Sequence, residues 1–250
     1  MMKHLLTMIG LLAAMLPATA EDHINLVFIG NSITAGATLS NRTEQAPPIV
    51  CGQLVQEATD IATHVYNGGH SGITTYGFLP GSADFAKAVN GAQSLQESNG
   101  GKLCFSIMLG TNDSAYSPSD SESRGGPATP ARYQANMKAI IDSLLAQFPE
   151  CKILVNYPIW YSPNTYNSAR YLQEGLDRLR SYYPVIDALA KDYDQVYTGD
   201  RSAWESFENH PELFTSESGH AGIFHLHPNA NGAKRLAAIW ARRLLDMILK

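Results

Sequence analysis

Four short blocks of the sequence carry residue types that could do chemistry together. They are Gly30-Asn31-Ser32, the run Asn67 to Gly72 (NGGHSG), the run Gly110 to Asp113 (GTND), and His227-Pro228-Asn229. A serine hydroxyl is a weak nucleophile until a base takes its proton. Ser32 is the candidate nucleophile and His227 the candidate base. The tetrahedral oxyanion formed when a hydroxyl attacks a carbonyl needs fixed donors around it. Three are on offer. One is the backbone N–H of Ser32 itself, at a helix start where partial positive charge favours an anion. The others are the backbone N–H of Gly72, with no side chain in the way, and the side-chain amide of Asn112. Each block also has a plainer reading: Ser32 as a helix cap, Asn112 and Asp113 as turn formers. His225 and His227 make an H-x-H pair, but no third ligand lies near in sequence, so no metal is expected. Nothing in the sequence calls for a cofactor.

Such groups act together only if the fold brings them together. Short apolar runs, Ile24–Ile29, His64–Tyr66, Leu103–Leu109, Ile153–Asn156 and the weaker Gln195–Tyr197, alternate with helical patterns. One helix is predicted to start at Thr129-Pro130, with Tyr133, Met137, Ile140, Ile141, Leu144, Leu145 and Phe148 on one face, and to stop at Pro149. A second is expected from about Asn167 to Asp192, interrupted near Tyr183-Pro184, and a last from Asn229 to the C-terminus. Strand alternating with helix predicts an α/β fold: a parallel sheet of about five strands with helices on both faces. Ligands then bind beyond the carboxyl ends of the strands, and all four blocks follow strands or precede the last helix.

Taken in order, GNS, NGGHSG, GTND and HPN resemble the SGNH (GDSL-type) hydrolase family, over nearly the whole stretch from Ile24 to the last helix. The resemblance implies a three-layer flavodoxin-like fold and ester hydrolysis. It implies Ser32 as nucleophile, Ser32, Gly72 and Asn112 as oxyanion donors, and His227 as base. The chain departs from the family pattern twice. Asn31 stands where the family has Asp; its amide can still hold the turn. Phe224 stands three residues before His227, where the family has its acid. Three readings follow: a backbone carbonyl orients His227 in a Ser–His dyad, a carboxylate arrives from elsewhere (Glu217 first, Asp200 second), or catalysis is lost. Glu217-Ser218-Gly219-His220 also has an acid-x-x-His spacing, but it lacks the Pro-Asn and the following helix.

The remaining features bear on substrate and location. The 250 residues are 44% hydrophobic and 16% charged, with a formal charge of −5. Lys3, then an apolar run to Leu16 and Ala18-Thr19-Ala20, predict a cleaved export signal over residues 1–20, leaving one hydrolase domain over 21–250. Removing Lys3 makes the charge −6, which argues against nucleic acid or an anionic membrane as partner. Cys104 and Cys151 lie in apolar runs and are expected to be buried thiols; with Cys51 they allow one disulfide in an exported protein. A polar loop, Asp113 to Thr129, and an aromatic one, Asn156 to Asn167 with Tyr157, Trp160, Tyr161 and Tyr166, follow strands. The aromatic loop suits either sugar binding or core packing. Family members similar to this chain include carbohydrate and sialic acid O-acetylesterases, so the expected partner is an acetylated glycan or another small ester. A lysophospholipase or thioesterase, and a silent glycan-binding protein, are the alternatives.

Overall fold

The computed structural model describes residues 23–117 and 126–250. The expected export signal, residues 1–20, and much of the polar loop, residues 118–125, lie outside the described residues. In chain order the elements are β1 (His23–Gly30), α1 (Ser32–Ala35), α2 (Arg42–Gln45), α3 (Pro47–Thr59), β2 (Ala62–Gly69), α4 (Ala83–Asn99), β3 (Lys102–Met108) and α5 (Pro130–Gln147). They continue with β4 (Lys152–Val155), α6 (Leu172–Ser181), α7 (Tyr183–Asp192), β5 (Val196–Thr198), α8 (Ser202–Glu208), a 3-10 turn (Pro211–Leu213), β6 (Glu217–Gly219), β7 (Gly222–Phe224) and α9 (Ala230–Ile248).

β1 to β5 form one sheet in the order β2-β1-β3-β4-β5, every neighbouring pair parallel. This is the flavodoxin-like order, and strand order reverses beside β1. β1 is covered on both faces, so it reads as a near-continuous apolar run, broken by Asn25, rather than an alternating one. Its side chains still sort by twos. Val27 and Ile29 join Phe105, Met137, Leu144, Leu179 and Ile186 on one side. Leu26 and Phe28 join Val55, Cys104, Leu236 and Trp240 on the other. Helices on each face thus complete three layers.

Capping explains the helix boundaries nearest the site. The Thr129 hydroxyl accepts from the Arg132 N–H, and Pro130 takes the first helical position of α5. Asn229 accepts from the N–H groups of Asn231 and Gly232 to open α9. Where a helix was expected from Asn167, α6 begins at Leu172; the Asn167 side-chain oxygen Oδ1 instead accepts the Ala169 N–H at 2.8 Å, a local turn that competes with a helix. The three cysteines are free and buried. Among the described residues, no helix is long and apolar enough to cross a membrane.

The aromatic loop divides. Tyr157 and Tyr161 are buried, 3% and 1% exposed, and belong to the core beneath α6 and α7. Trp160 is half-buried and packs edge-on against Phe214, while Tyr166 lies against the His220 ring. Core packing accounts for Tyr157 and Tyr161: a loop leaving β4 must cover the sheet before the chain turns into α6.

Candidate active site

The end of β1 is built for a sharp turn. A Cβ at Gly30 would stand 2.0 Å from Thr34 Oγ1 and 3.0 Å from the Met108 carbonyl oxygen, so only glycine lets α1 fold back so closely. Asn31 is the N-cap of α1, its side-chain oxygen accepting from the Ile33 N–H at 2.9 Å. The amide therefore holds the turn, and Ser32 is the first helical residue rather than the cap. Its hydroxyl lies 2.8 Å from His227 Nε2.

The second half of the site hangs on a small hairpin. β6 and β7 pair antiparallel, with Glu217 directly opposite Phe224. Directly opposed residues point to the same face of a hairpin. So the carboxylate that is missing at Phe224 is supplied from the facing position. Both Glu217 oxygens lie 2.9 Å from His227 Nδ1, and Oε1 also accepts the His227 backbone N–H at 3.2 Å. Phe224 is buried in the core, 1% exposed, and anchors the hairpin there. The carboxylate that lies against His227 Nδ1 is thus Glu217, the first of the two candidates from elsewhere in the chain. A backbone carbonyl does not take this place. Asp200 is engaged elsewhere, paired with Arg242 and accepting from the Ser202 N–H. His220 donates its backbone N–H to the Tyr166 carbonyl at 2.8 Å and is exposed, away from Ser32.

Pro228 and Asn229 fix the histidine loop. The Asn229 amide nitrogen donates to the carbonyls of Glu212 and Phe214, at 2.7 and 3.0 Å, while its oxygen caps α9. The Thr215 N–H donates to the His227 carbonyl at 2.9 Å. One asparagine thereby ties the 3-10 turn to the helix that follows the histidine.

Gly72 and Asn112 complete the cleft. Gly72 has φ +81°, a conformation that favours glycine. The segment carrying it is clamped by Asp113, 4% exposed, whose carboxylate accepts the Thr75 backbone N–H at 3.0 and 3.1 Å and the Thr75 hydroxyl. Asn112 Nδ2 donates to the Ile73 carbonyl at 2.8 Å, and the Tyr171 hydroxyl donates to Asn112 Oδ1 at 2.7 Å. Ser32, Gly72, Asn112, Tyr171 and His227 all line one cleft of about 310 Å³. An imidazole that can take the Ser32 proton, a carboxylate that can steady the imidazolium, and amide donors facing the same space can together perform acyl transfer.

The profile of the GDSL-like lipase/acylhydrolase family matches residues 28–235. The chain belongs to that family. Among solved structures this hydrolase is similar to a carbohydrate acetylesterase from Sinorhizobium meliloti: 18% identity, 89% of this chain and 99% of that one covered, TM-score 0.60. An acetylxylan esterase from Geobacillus stearothermophilus gives 18% identity, 90% and 93% coverage, and TM-score 0.55. A lipase/acylhydrolase from Enterococcus faecalis gives 19%, 88% and 94%, and 0.54. At these identities the likeness is one of fold. Comparison with curated protein sequences finds no match.

All four blocks named from the sequence thus meet at one edge of the sheet of this GDSL-like hydrolase. Sequence reasoning gave no role to Tyr171 or Thr75, and only a turn to Asp113. Asp113 carried a usable signal, its place next to Asn112 at a strand end. Thr75 and Tyr171 carried none, since only the fold brings them to that strand end.

Proposed function

We propose that this protein is a serine esterase that removes short acyl groups, acetyl in particular, from a carbohydrate. The observation that carries this reading is the continuous hydrogen-bonded chain from Ser32 Oγ through His227 to Glu217. In the proposed reaction His227 Nε2 takes the Ser32 proton as Oγ attacks the ester carbonyl. The electron pair moves onto the carbonyl oxygen, facing the Ser32 and Gly72 N–H groups and the Asn112 amide. Glu217 accepts the Nδ1–H bond throughout and offsets the imidazolium charge. His227 then returns the proton to the departing sugar hydroxyl. A water, deprotonated by the same nitrogen, repeats the attack on the acyl-serine and frees the acid.

Two features support a small acyl group on a polar alcohol. The cleft is small, near the lower end of the about 300–1,000 Å³ usual for ligand sites. Its lining includes Ser71, Ser117, Asn167 and Ser168, hydroxyls and amides suited to sugar hydroxyls rather than a long alkyl chain. The proposed enzyme is exported after loss of residues 1–20. The test is hydrolysis of p-nitrophenyl esters of rising chain length by the wild type and by Ser32→Ala. Acetate should be the best substrate, with activity lost in the variant. Rising activity with chain length would favour the lysophospholipase or thioesterase reading. Glycan binding without turnover would favour a silent module.

A further inference from the structure

We infer that Tyr171 is a positioning residue that sets and sharpens the Asn112 oxyanion donor. The inference rests on the proposed esterase chemistry. An asparagine amide carries two N–H donors and one oxygen acceptor. At Asn112 one N–H is committed to the Ile73 carbonyl, 2.8 Å away, and the oxygen accepts the Tyr171 hydroxyl at 2.7 Å. The Ile73 carbonyl can only accept, so it dictates which end of the amide faces it. Tyr171 then holds the other end. With both ends pinned, the remaining N–H has one direction available, and Asn112 lines the cleft with Ser32 and Gly72.

Two further observations place Tyr171 by design of the backbone. The next residue, Leu172, has φ +51°, a left-handed conformation uncommon outside glycine. Strain of this kind persists where the surroundings over-determine it. Here the N–H groups of both Tyr171 and Leu172 converge on the Thr165 carbonyl, at 3.2 and 3.1 Å. The ring is 5% exposed and packs edge-on against Tyr161. The chain thus bends sharply at the start of α6 and delivers the hydroxyl to the amide. Accepting a hydrogen bond at Oδ1 also polarises the amide and strengthens its N–H as a donor, so the tyrosine contributes through Asn112 where negative charge develops.

The experiment is kinetics on p-nitrophenyl acetate for the wild type, Tyr171→Phe, Asn112→Ala and the double variant, each checked by thermal melting. Phe keeps the packing against Tyr161. Losing a donor outright costs about 10²–10³ in kcat; loosening one should cost about 10-fold, with KM within about twofold. In the Asn112→Ala background the same change should alter kcat by less than about twofold, because both act through one group. Unchanged kcat in Tyr171→Phe, a change in KM alone, or equal losses in both backgrounds would overturn the inference. If Ser32→Ala is inactive while Tyr171→Phe is fully active, the inference falls and the esterase reading stands. A wild type inactive on all acyl esters would remove both.

Discussion

Replacing Glu217 by glutamine keeps the shape of the side chain and removes its charge. In the structure both carboxylate oxygens lie 2.9 Å from His227 Nδ1, which puts the two charge centres about 4 Å apart when the imidazole carries the Ser32 proton. The side chains are 14% and 21% exposed for His227 and Glu217, so neither bulk water nor a dry interior sets the dielectric. At an effective value near 20, the attraction is about 4 kcal/mol. Each 1.36 kcal/mol is about tenfold in rate, so its loss should lower kcat by about 10³. KM should move little, since the imidazolium forms only as the reaction proceeds. Stopped-time assays of p-nitrophenyl acetate give both constants, and circular dichroism reports whether the hairpin still folds. Asp200→Asn is the control and should leave kcat unchanged, because that carboxylate is held by Arg242. A Glu217→Gln enzyme within threefold of wild-type kcat would refute the electrostatic argument and leave Ser32 and His227 working as a dyad.

Three other outcomes are expected. Asp113→Asn sets an amide donor against the Thr75 N–H and hydroxyl, so it should destabilise the fold by about 1.5–3 kcal/mol in urea titration. It should also lower kcat by loosening the segment that carries Gly72. Burial pushes the thiols of Cys104 and Cys151 up to about 12, and that of Cys51 higher. Ellman's reagent should therefore find no reactive thiol in the native protein at pH 8 and three once it is denatured. Burial alone would raise the Asp84 carboxyl, but the hydrogen bonds and charges of His70 and Lys87 outweigh it and hold it below its ordinary 3.8. The contribution of Asp84 to stability is thus present above that value and lost as the pH falls through the lowered one. Melting temperature followed from pH 5 to 2 should fall more steeply for the wild type than for Asp84→Asn.

The sheet was legible because a parallel strand covered on both faces reads as a near-continuous apolar run, as Ile24–Ile29 does with Asn25 its single polar residue. The candidate site was legible as far as each group follows a strand or precedes a capped helix: Ser32, Gly72, Asn112 and His227 all do. Glu217 was harder to assign. It lies on a strand of three residues, too short for any alternation, and its relation to His227 passes through a hairpin register rather than a fixed offset in the chain. Phe224 explains itself only afterwards: freed from carrying charge, it became a core residue. Tyr157 and Tyr161 left two readings open. A ring followed by a polar tip suits a sugar or a core equally, and only the helices α6 and α7 above them decide. Tyr171 had no signal at all, being separated by dozens of residues from the amide it holds.

The parallel sheet also fixes where the chain ends lie. β1 starts at His23 on one edge and delivers Ser32 past the other, a run of eight residues, or about 26 Å at the usual rise. α9 returns to that same far edge, where Lys152, at the start of β4, donates to the Met247 carbonyl. Anything joined before His23 or after Ile248 therefore attaches at the back of the enzyme. A surface tether, a fusion partner or an immobilising tag joined there would leave the cleft facing outward.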